Sequence, residues 1–214
     1  MEKINYDKVL EELISKLDYK PKLLLHSCCG PCSSYVITYL KDYFDITILY
    51  YNPNIEPYEE YIKRKEEQIK LIDKLNIIDL DLYDIDYDNE NYRNKVIGLE
   101  NEKEGGSRCH ICYELRLNKT AMLAKENGYE YFGTTLTVSP YKNAQVLNQI
   151  GEKLSNVYNI KWLYSDFKKK DGYKKSIELS KEYELYRQDY CGCLFSKDSM
   201  KGIYNEWEEC NLFC

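Results

Sequence analysis

Apolar positions along the chain change their period in a regular way, and the changes mark out alternating helices and strands. Ile4, Val9, Leu10, Leu13, Ile14 and Leu17 recur at helical spacing, which predicts an amphipathic helix over residues 4–18. The short apolar run at 23–25 follows Pro21 and reads as a buried strand, and 33–43 returns to helical spacing. Residues 45–51 alternate and are rich in β-branched side chains, a second strand that stops at Asn52-Pro53-Asn54. A long charged helix is predicted over 58–75 and a third strand over 77–82. After an acidic stretch closed by Gly105-Gly106, a helix from Cys109 to about Asn127 stops at Gly128. Strands at 131–134 and 161–164 flank a helix at 142–158, and helices with loops follow, around Asp171-Gly172 and Cys191–Cys193.

This order predicts an α/β fold: a Rossmann-like parallel sheet with helices on both faces. No repeat or linker interrupts it, so 1–214 is expected to be one domain. Residues 84–108 form an acidic insertion or loop region, and 165–214 a helical C-terminal part. In such a sheet the functional crevice lies outside the carboxyl ends of the strands. The segments at 27–32, 52–53 and 134–141, and Asp166, fall there.

Composition narrows the class. With 43% hydrophobic and 31% charged residues the chain reads as globular. It has no apolar run near the roughly 18 residues a membrane span needs. The first residues lack the apolar core of a secretion signal, so a cytoplasmic protein with no membrane partner is expected. The 23 tyrosines read mainly as a compositional bias of an AT-rich genome.

The net charge of −6 argues against nucleic acid until its distribution is considered. Residues 79–104 carry nine acidic and three basic side chains, so the remainder is neutral overall. Residues 161–187 carry eight basic and five acidic side chains, among them Lys168-Lys169-Lys170 and Lys174-Lys175. Such a run is either a solvated face or a phosphate-contacting patch.

Nine cysteines change the picture most. Seven fall into Cys28-Cys29-Gly-Pro-Cys32, Cys109-His-Ile-Cys112 and Cys191-Gly-Cys193. A reduced compartment gives disulfide frameworks little use, so metal or redox chemistry is indicated. Paired cysteines from separate segments suit either a zinc tetrathiolate or an iron–sulfur cluster. Structural zinc would use four thiols and leave three without a role. Cys29-Gly-Pro-Cys32 also has the spelling of a thiol–disulfide exchange site between a strand and a helix, where a low-pKa thiolate is expected. The Gly in Cys191-Gly-Cys193 permits a tight turn, and with it a strained redox disulfide or a metal clasp. His26 reads as a core histidine or a partner behind a ligand, and His110 as facing outward. Cys210 and Cys214 are taken as incidental.

Five blocks together resemble one family. They are His26-Ser-Cys-Cys-Gly-Pro-Cys32, Arg108-Cys-His-Ile-Cys-Tyr-Glu-Leu-Arg-Leu117, Thr134-Thr-Leu-Thr-Val-Ser-Pro-Tyr-Lys142, Asp166-Phe-Lys-Lys169 and the run from Gly172 to Ser196 that ends Tyr186-Arg-Gln-Asp-Tyr-Cys-Gly-Cys-Leu-Phe-Ser196. The chain resembles epoxyqueuosine reductases of the QueH type, which do not use cobalamin, over about residues 22–200. The resemblance implies a fold like that of the pyrophosphatase-loop and nucleotide-hydrolase (HUP) superfamily. Ser27-Cys-Cys-Gly-Pro-Cys32 stands where ATP-using relatives carry a phosphate loop, so ATP chemistry is not expected.

The resemblance implies reduction of epoxyqueuosine to queuosine at the wobble position of a tRNA anticodon loop, the last step of queuosine synthesis. It implies a [4Fe-4S] cluster on Cys28, Cys29, Cys109 and Cys112. Cys191 and Cys193 are then a redox-active pair, or hold a second iron or other divalent metal together with Cys32. Some members carry Asp where this chain has Cys32, a substitution that suits a metal ligand. Residues 165–214 would complete the metal site. The partners implied are the tRNA and an unidentified electron donor. For substrate binding the expected set is Lys168, Lys169, Lys170, Lys174, Lys175 and Arg187 on phosphates, with Tyr173 or Tyr190 stacked on a base. Asp189, Tyr190 and Lys142 are candidate proton donors by their position near the motifs. The competing readings are a zinc-stabilised RNA-binding protein and a thiol–disulfide oxidoreductase using Cys29 and Cys32.

Overall fold

A computed structural model describes residues 4–197. Its centre is β1 (Lys22–His26), whose residues from Leu23 onward are all buried, as a strand covered on both faces requires. Parallel neighbours flank it: β2 (Asp45–Tyr50) on one side and β4 (Tyr131–Thr134) on the other. β3 (Asp81–Asp84) and β5 (Lys161–Trp162) lie outside them, giving the order β3-β2-β1-β4-β5. The helices are α1 (Tyr6–Ile14), α2 (Gly30–Leu40), α3 (Tyr58–Leu75), α4 (Asn89–Lys95), α5 (Ser107–Glu126), α6 (Ala144–Tyr158) and α7 (Gly172–Glu182).

Strand alternation divides the core between two faces. Leu24, Leu49 and Phe132 pack with α5 and α6 side chains such as Leu117, Ala121 and Leu147. Leu23, Leu25, Ile46 and Ile48 pack on the other face with Leu10 of α1, Val36 and Ile37 of α2 and Leu71 of α3. The expected α/β class is therefore present, with helices on both sides. No helix among the described residues is long and apolar enough to cross a membrane.

Several boundaries differ from the sequence reading. The third strand is Asp81–Asp84 rather than 77–82; Ile78 is apolar but 88% exposed, and pairing with Thr47–Tyr50 sets the strand instead. Helix α2 begins at Gly30, three residues early, because Pro31 is tolerated in a first helical turn where no N–H partner is needed. Cys32 thus sits on the helix. α5 begins at Ser107, which places Cys109 and Cys112 in its first two turns. Asn143 caps α6 by accepting from the Gln145 and Val146 amides, so Lys142 stays outside the helix. A 3-10 turn, Thr135–Val138, follows β4 where no element was expected, and β5 is only two residues long.

The chain builds outward from β1 through β2 to β3, then returns past β1 to β4. The reversal lies between β1 and β4, and the crevice it opens at their carboxyl ends is the ligand position of this fold class.

Candidate metal centre

Ser27–Cys32 leaves β1 directly into that crevice. Beneath it a buried polar knot fixes the start of α2. Ser27 and Ser33 donate to Gln68 Oε1 at 2.6 and 2.9 Å, and their hydroxyls also touch each other. Gly30 is required here, since a Cβ would lie 2.7 Å from the Glu67 carbonyl oxygen on α3. Among the described residues, Cys28, Cys29 and Cys32 form a group of metal-capable side chains whose sulfurs all lie within 4.8 Å of one another. The Cys28 and Cys29 sulfurs are 3.8 Å apart. Bonds of about 2.3 Å to one tetrahedral metal separate its thiolates by about that distance. The three protons are shared unequally. Cys28 is held well below the ordinary thiol range, first by the Cys29 thiol donating to it and then by Cys32, with Lys142 adding charge. Cys29 is correspondingly pushed up to about 12, and Cys32 is raised as well.

The second and third clusters converge on the same crevice from α5 and from the segment after α7. Gly105 donates its backbone N–H to Cys109 Sγ at 3.2 Å. Burial pushes Cys112 up to about 12 and raises Cys109 and Cys193; Cys191 repels all three thiols. The link between the groups is cationic. Arg116, one helical turn after Cys112, is buried, and its pKa is raised despite burial by the Cys112, Cys191 and Cys28 sulfurs around it. Its Nε donates to the Cys112 carbonyl at 3.0 Å, while Nη2 is buried without a partner. The Lys142 ammonium is raised in the same way, by Cys191, Cys28 and Cys32. All three cysteine segments therefore lie around two cations. All seven described cysteines are free thiols; Cys210 and Cys214 lie outside the described residues.

A cavity of about 240 Å³ opens onto this centre, lined by Cys28, Cys32 and Cys191 on the thiol side. Tyr173, Arg187 and Tyr190 of the expected substrate set line it too, as do the candidate proton donors Lys142 and Asp189. Four cations (Arg64, Arg116, Lys142 and Arg187) face two carboxylates there, Glu104 and Asp189. Lys168, Lys169, Lys170 and Lys174 do not line it. Lys168 pairs with Asp166 at 2.6 Å, Lys170 pairs with Glu11 and Asp7 of α1, and Lys169 and Lys174 are exposed. Lys175 is exposed as well, its ammonium 5.5 Å from the Tyr35 ring centre. Tyr190 is already engaged: its hydroxyl donates to the Glu56 carbonyl at 2.7 Å, and Arg64 and Lys197 sit over its ring.

His26 is a core histidine. Its Nε2–H donates to the Tyr51 carbonyl and its Nδ1 accepts from the Thr134 hydroxyl, so both nitrogens are used. Burial lowers its pKa to about 3, with the Arg116 charge adding to the effect. His110 is exposed, as expected.

Three contributors escaped the sequence reading. Arg64 is buried on α3, pairs with Glu60 at 2.6 Å, and donates to the Cys191 and Tyr190 carbonyls at 3.2 and 3.3 Å. It pins the Cys191-Gly-Cys193 turn, where Gly192 has φ +128° and its carbonyl accepts from the Glu56 amide at 2.8 Å. Gln188 donates from Nε2 to Cys29 Sγ at 2.9 Å. Arg116 is the third. The available signal was spacing: Tyr61, Arg64, Gln68 and Leu71 occupy one inward stripe of α3, and Cys112, Arg116 and Thr120 one stripe of α5. A polar residue on an inward stripe marks a buried polar site.

Sequence comparison identifies a consistent set of relatives. A family model described as epoxyqueuosine reductase QueH matches residues 23–199. A protein of that name from Staphylococcus epidermidis is 45% identical over 203 residues, covering 91% of this chain and 85% of its own length. One from Streptococcus pyogenes is 42% identical, covering 94% and 81% respectively. One from Thermotoga maritima is 36% identical, covering 81% and 89%.

Proposed function

The chain belongs to the QueH family of epoxyqueuosine reductases, an oxidoreductase family, and from that premise we propose that it reduces epoxyqueuosine to queuosine in tRNA. The observation that carries the proposal is the convergence of three cysteine segments on the buried Arg116 and the half-buried Lys142, at the mouth of a cavity in the sheet's switch-point crevice.

The proposed resident group is a [4Fe-4S] cluster on Cys28, Cys29, Cys109 and Cys112. The donor set fits: all ligands are thiols, and an anionic cluster would face the unpartnered Arg116 Nη2. The close spacing of Cys28, Cys29 and Cys32 also fits a single second metal, and allows ligand exchange within that trio. When bound, such centres supply single-electron transfer and a Lewis acid for the epoxide oxygen.

The reaction takes two electrons and two protons and releases the oxygen as water. Oxidation of the Cys191 and Cys193 thiols to one disulfide releases two electrons and two protons, so this pair balances a turnover. Cys191 lines the cavity and Cys193 is buried behind it, which suits one thiol facing substrate and one resolving it. An external electron donor then restores the dithiol. Lys142 holds a proton beside the cavity, and Asp189 is the alternative donor at its wall. Lys168, Lys169, Lys170, Lys174 and Lys175 lie outside the cavity, where anticodon-loop phosphates would run once the wobble base is extruded. In this reading the described part of the C-terminal segment, residues 165–197, covers the first cysteine segment through Gln188 on Cys29.

Anaerobically purified protein is expected to be brown, with iron and acid-labile sulfide. tRNA from a strain lacking the gene is expected to accumulate epoxyqueuosine. A colourless protein holding one zinc, or a metal-free protein active on small disulfides, overturns the proposal.

A further inference from the structure

Tyr141 stands out once the rings around the cavity are compared. It is 76% exposed, more than any other large exposed aromatic among the described residues. Those others are engaged: Tyr19 donates to Glu130, Tyr43 packs on Tyr39, and Tyr58 packs on Tyr61 and Tyr87. Within the cavity wall, Tyr190 is covered by two cations and Tyr173 by Arg187, 5.7 Å from its ring centre. No hydrogen bond, ring or cation of the described residues engages Tyr141, although it lines the cavity beside Lys142. An aromatic ring left bare in water at the rim of a cation-rich cavity loses nothing by accepting a flat partner.

We infer that Tyr141 is a stacking platform for RNA, taking the base next to the one that enters the cavity. The inference rests on the tRNA reading above and transfers to Tyr141 the role that the sequence assigned to Tyr173 or Tyr190. The rim position decides which base. A ring at the mouth faces the neighbour that stays outside, while Arg187 and Lys142 face the nucleoside inside. Stacking on an aromatic side chain is tolerant of base identity and uncharged, so it adds affinity without adding to the salt dependence.

The test is binding of a synthetic anticodon stem–loop RNA carrying epoxyqueuosine, to the loaded protein, across a salt series. Tyr141→Ala is expected to weaken binding roughly 5- to 100-fold with an unchanged salt slope, and Tyr141→Phe or Tyr141→Trp to retain it. Replacing one flanking base by an abasic sugar should weaken the wild type by a similar factor and add little further loss in Tyr141→Ala. Equal binding by wild type and Tyr141→Ala, or additive losses at both flanking positions, overturns the inference. Failure of the wild type to bind the stem–loop at all overturns the tRNA reading instead.

Discussion

Removing the Arg64 guanidinium separates two jobs that the same buried group performs. Arg64→Met keeps the side-chain bulk but strips the pair with Glu60, whose side chain is only 12% exposed. Leaving one member of a buried pair uncompensated costs about 3–5 kcal/mol. Tyr186 still donates to Glu60 at 3.4 Å, so the lower end, about 3 kcal/mol, is expected. Losing the donors to the Cys191 and Tyr190 carbonyls adds about 1–2 kcal/mol. A total near 4 kcal/mol would still leave most domains folded. Arg64→Met/Glu60→Gln removes the stranded charge and should recover about 2 kcal/mol, yet the turn stays unpinned. Amide exchange reads this directly, because the Glu56 N–H donates to the Gly192 carbonyl. In the double variant that amide should exchange roughly tenfold faster than global unfolding predicts. If it is as protected as in the wild type, something other than Arg64 holds the turn and the reasoning fails.

The remaining expectations are simpler. Gly192→Ala forces a Cβ into a φ of +128°, 2.9 Å from Ile55 Cγ1 and 3.1 Å from Arg64 Nη1, and should destabilise by about 1–3 kcal/mol in urea unfolding; an unmoved midpoint counts against the turn geometry. His26 is neutral when folded, with a pKa of about 3 against about 6.5 unfolded, so the unfolded chain binds the extra proton in acid. Stability is full above about pH 6.5 and is lost by about 1.4 kcal/mol per pH unit as pH falls toward 3; His26→Gln should flatten the curve by that slope, and parallel curves refute the assignment. Lys168→Ala/Lys169→Ala/Lys170→Ala should weaken stem–loop binding. It should also flatten its salt slope by about 0.7 if only the unpaired Lys169 meets phosphate, and by about 2 if Lys168 and Lys170 leave their acidic partners. An unchanged slope removes the lysines from the interface.

The parts of the fold that were legible are those where one physical signal dominated. Leu23–Leu25 is apolar on both faces because β1 is covered on both, and the stop at Gly128 marks the end of α5. The third strand was misplaced because edge pairing, not hydrophobicity, selects Asp81–Asp84 over the apolar Ile77-Ile78, of which Ile77 is half-buried and Ile78 exposed. The cysteine spacing announced the site, and the strand order explains why the segments meet. The cations that bind the arrangement together were hidden because Arg64 lies in a helix full of charges. Only its place on the stripe between Tyr61 and Gln68 distinguishes it from its solvated neighbours.

The bond from Gln188 to the Cys29 sulfur spans 159 positions of the chain. During synthesis, therefore, Cys28, Cys29 and Cys32 emerge long before the segment that covers them exists. Their thiols meet the cell's oxidants and stray metals while the Arg64 anchor still has no turn to hold. A chain that stops before Gln188 has all five strands but lacks the donor that covers Cys29.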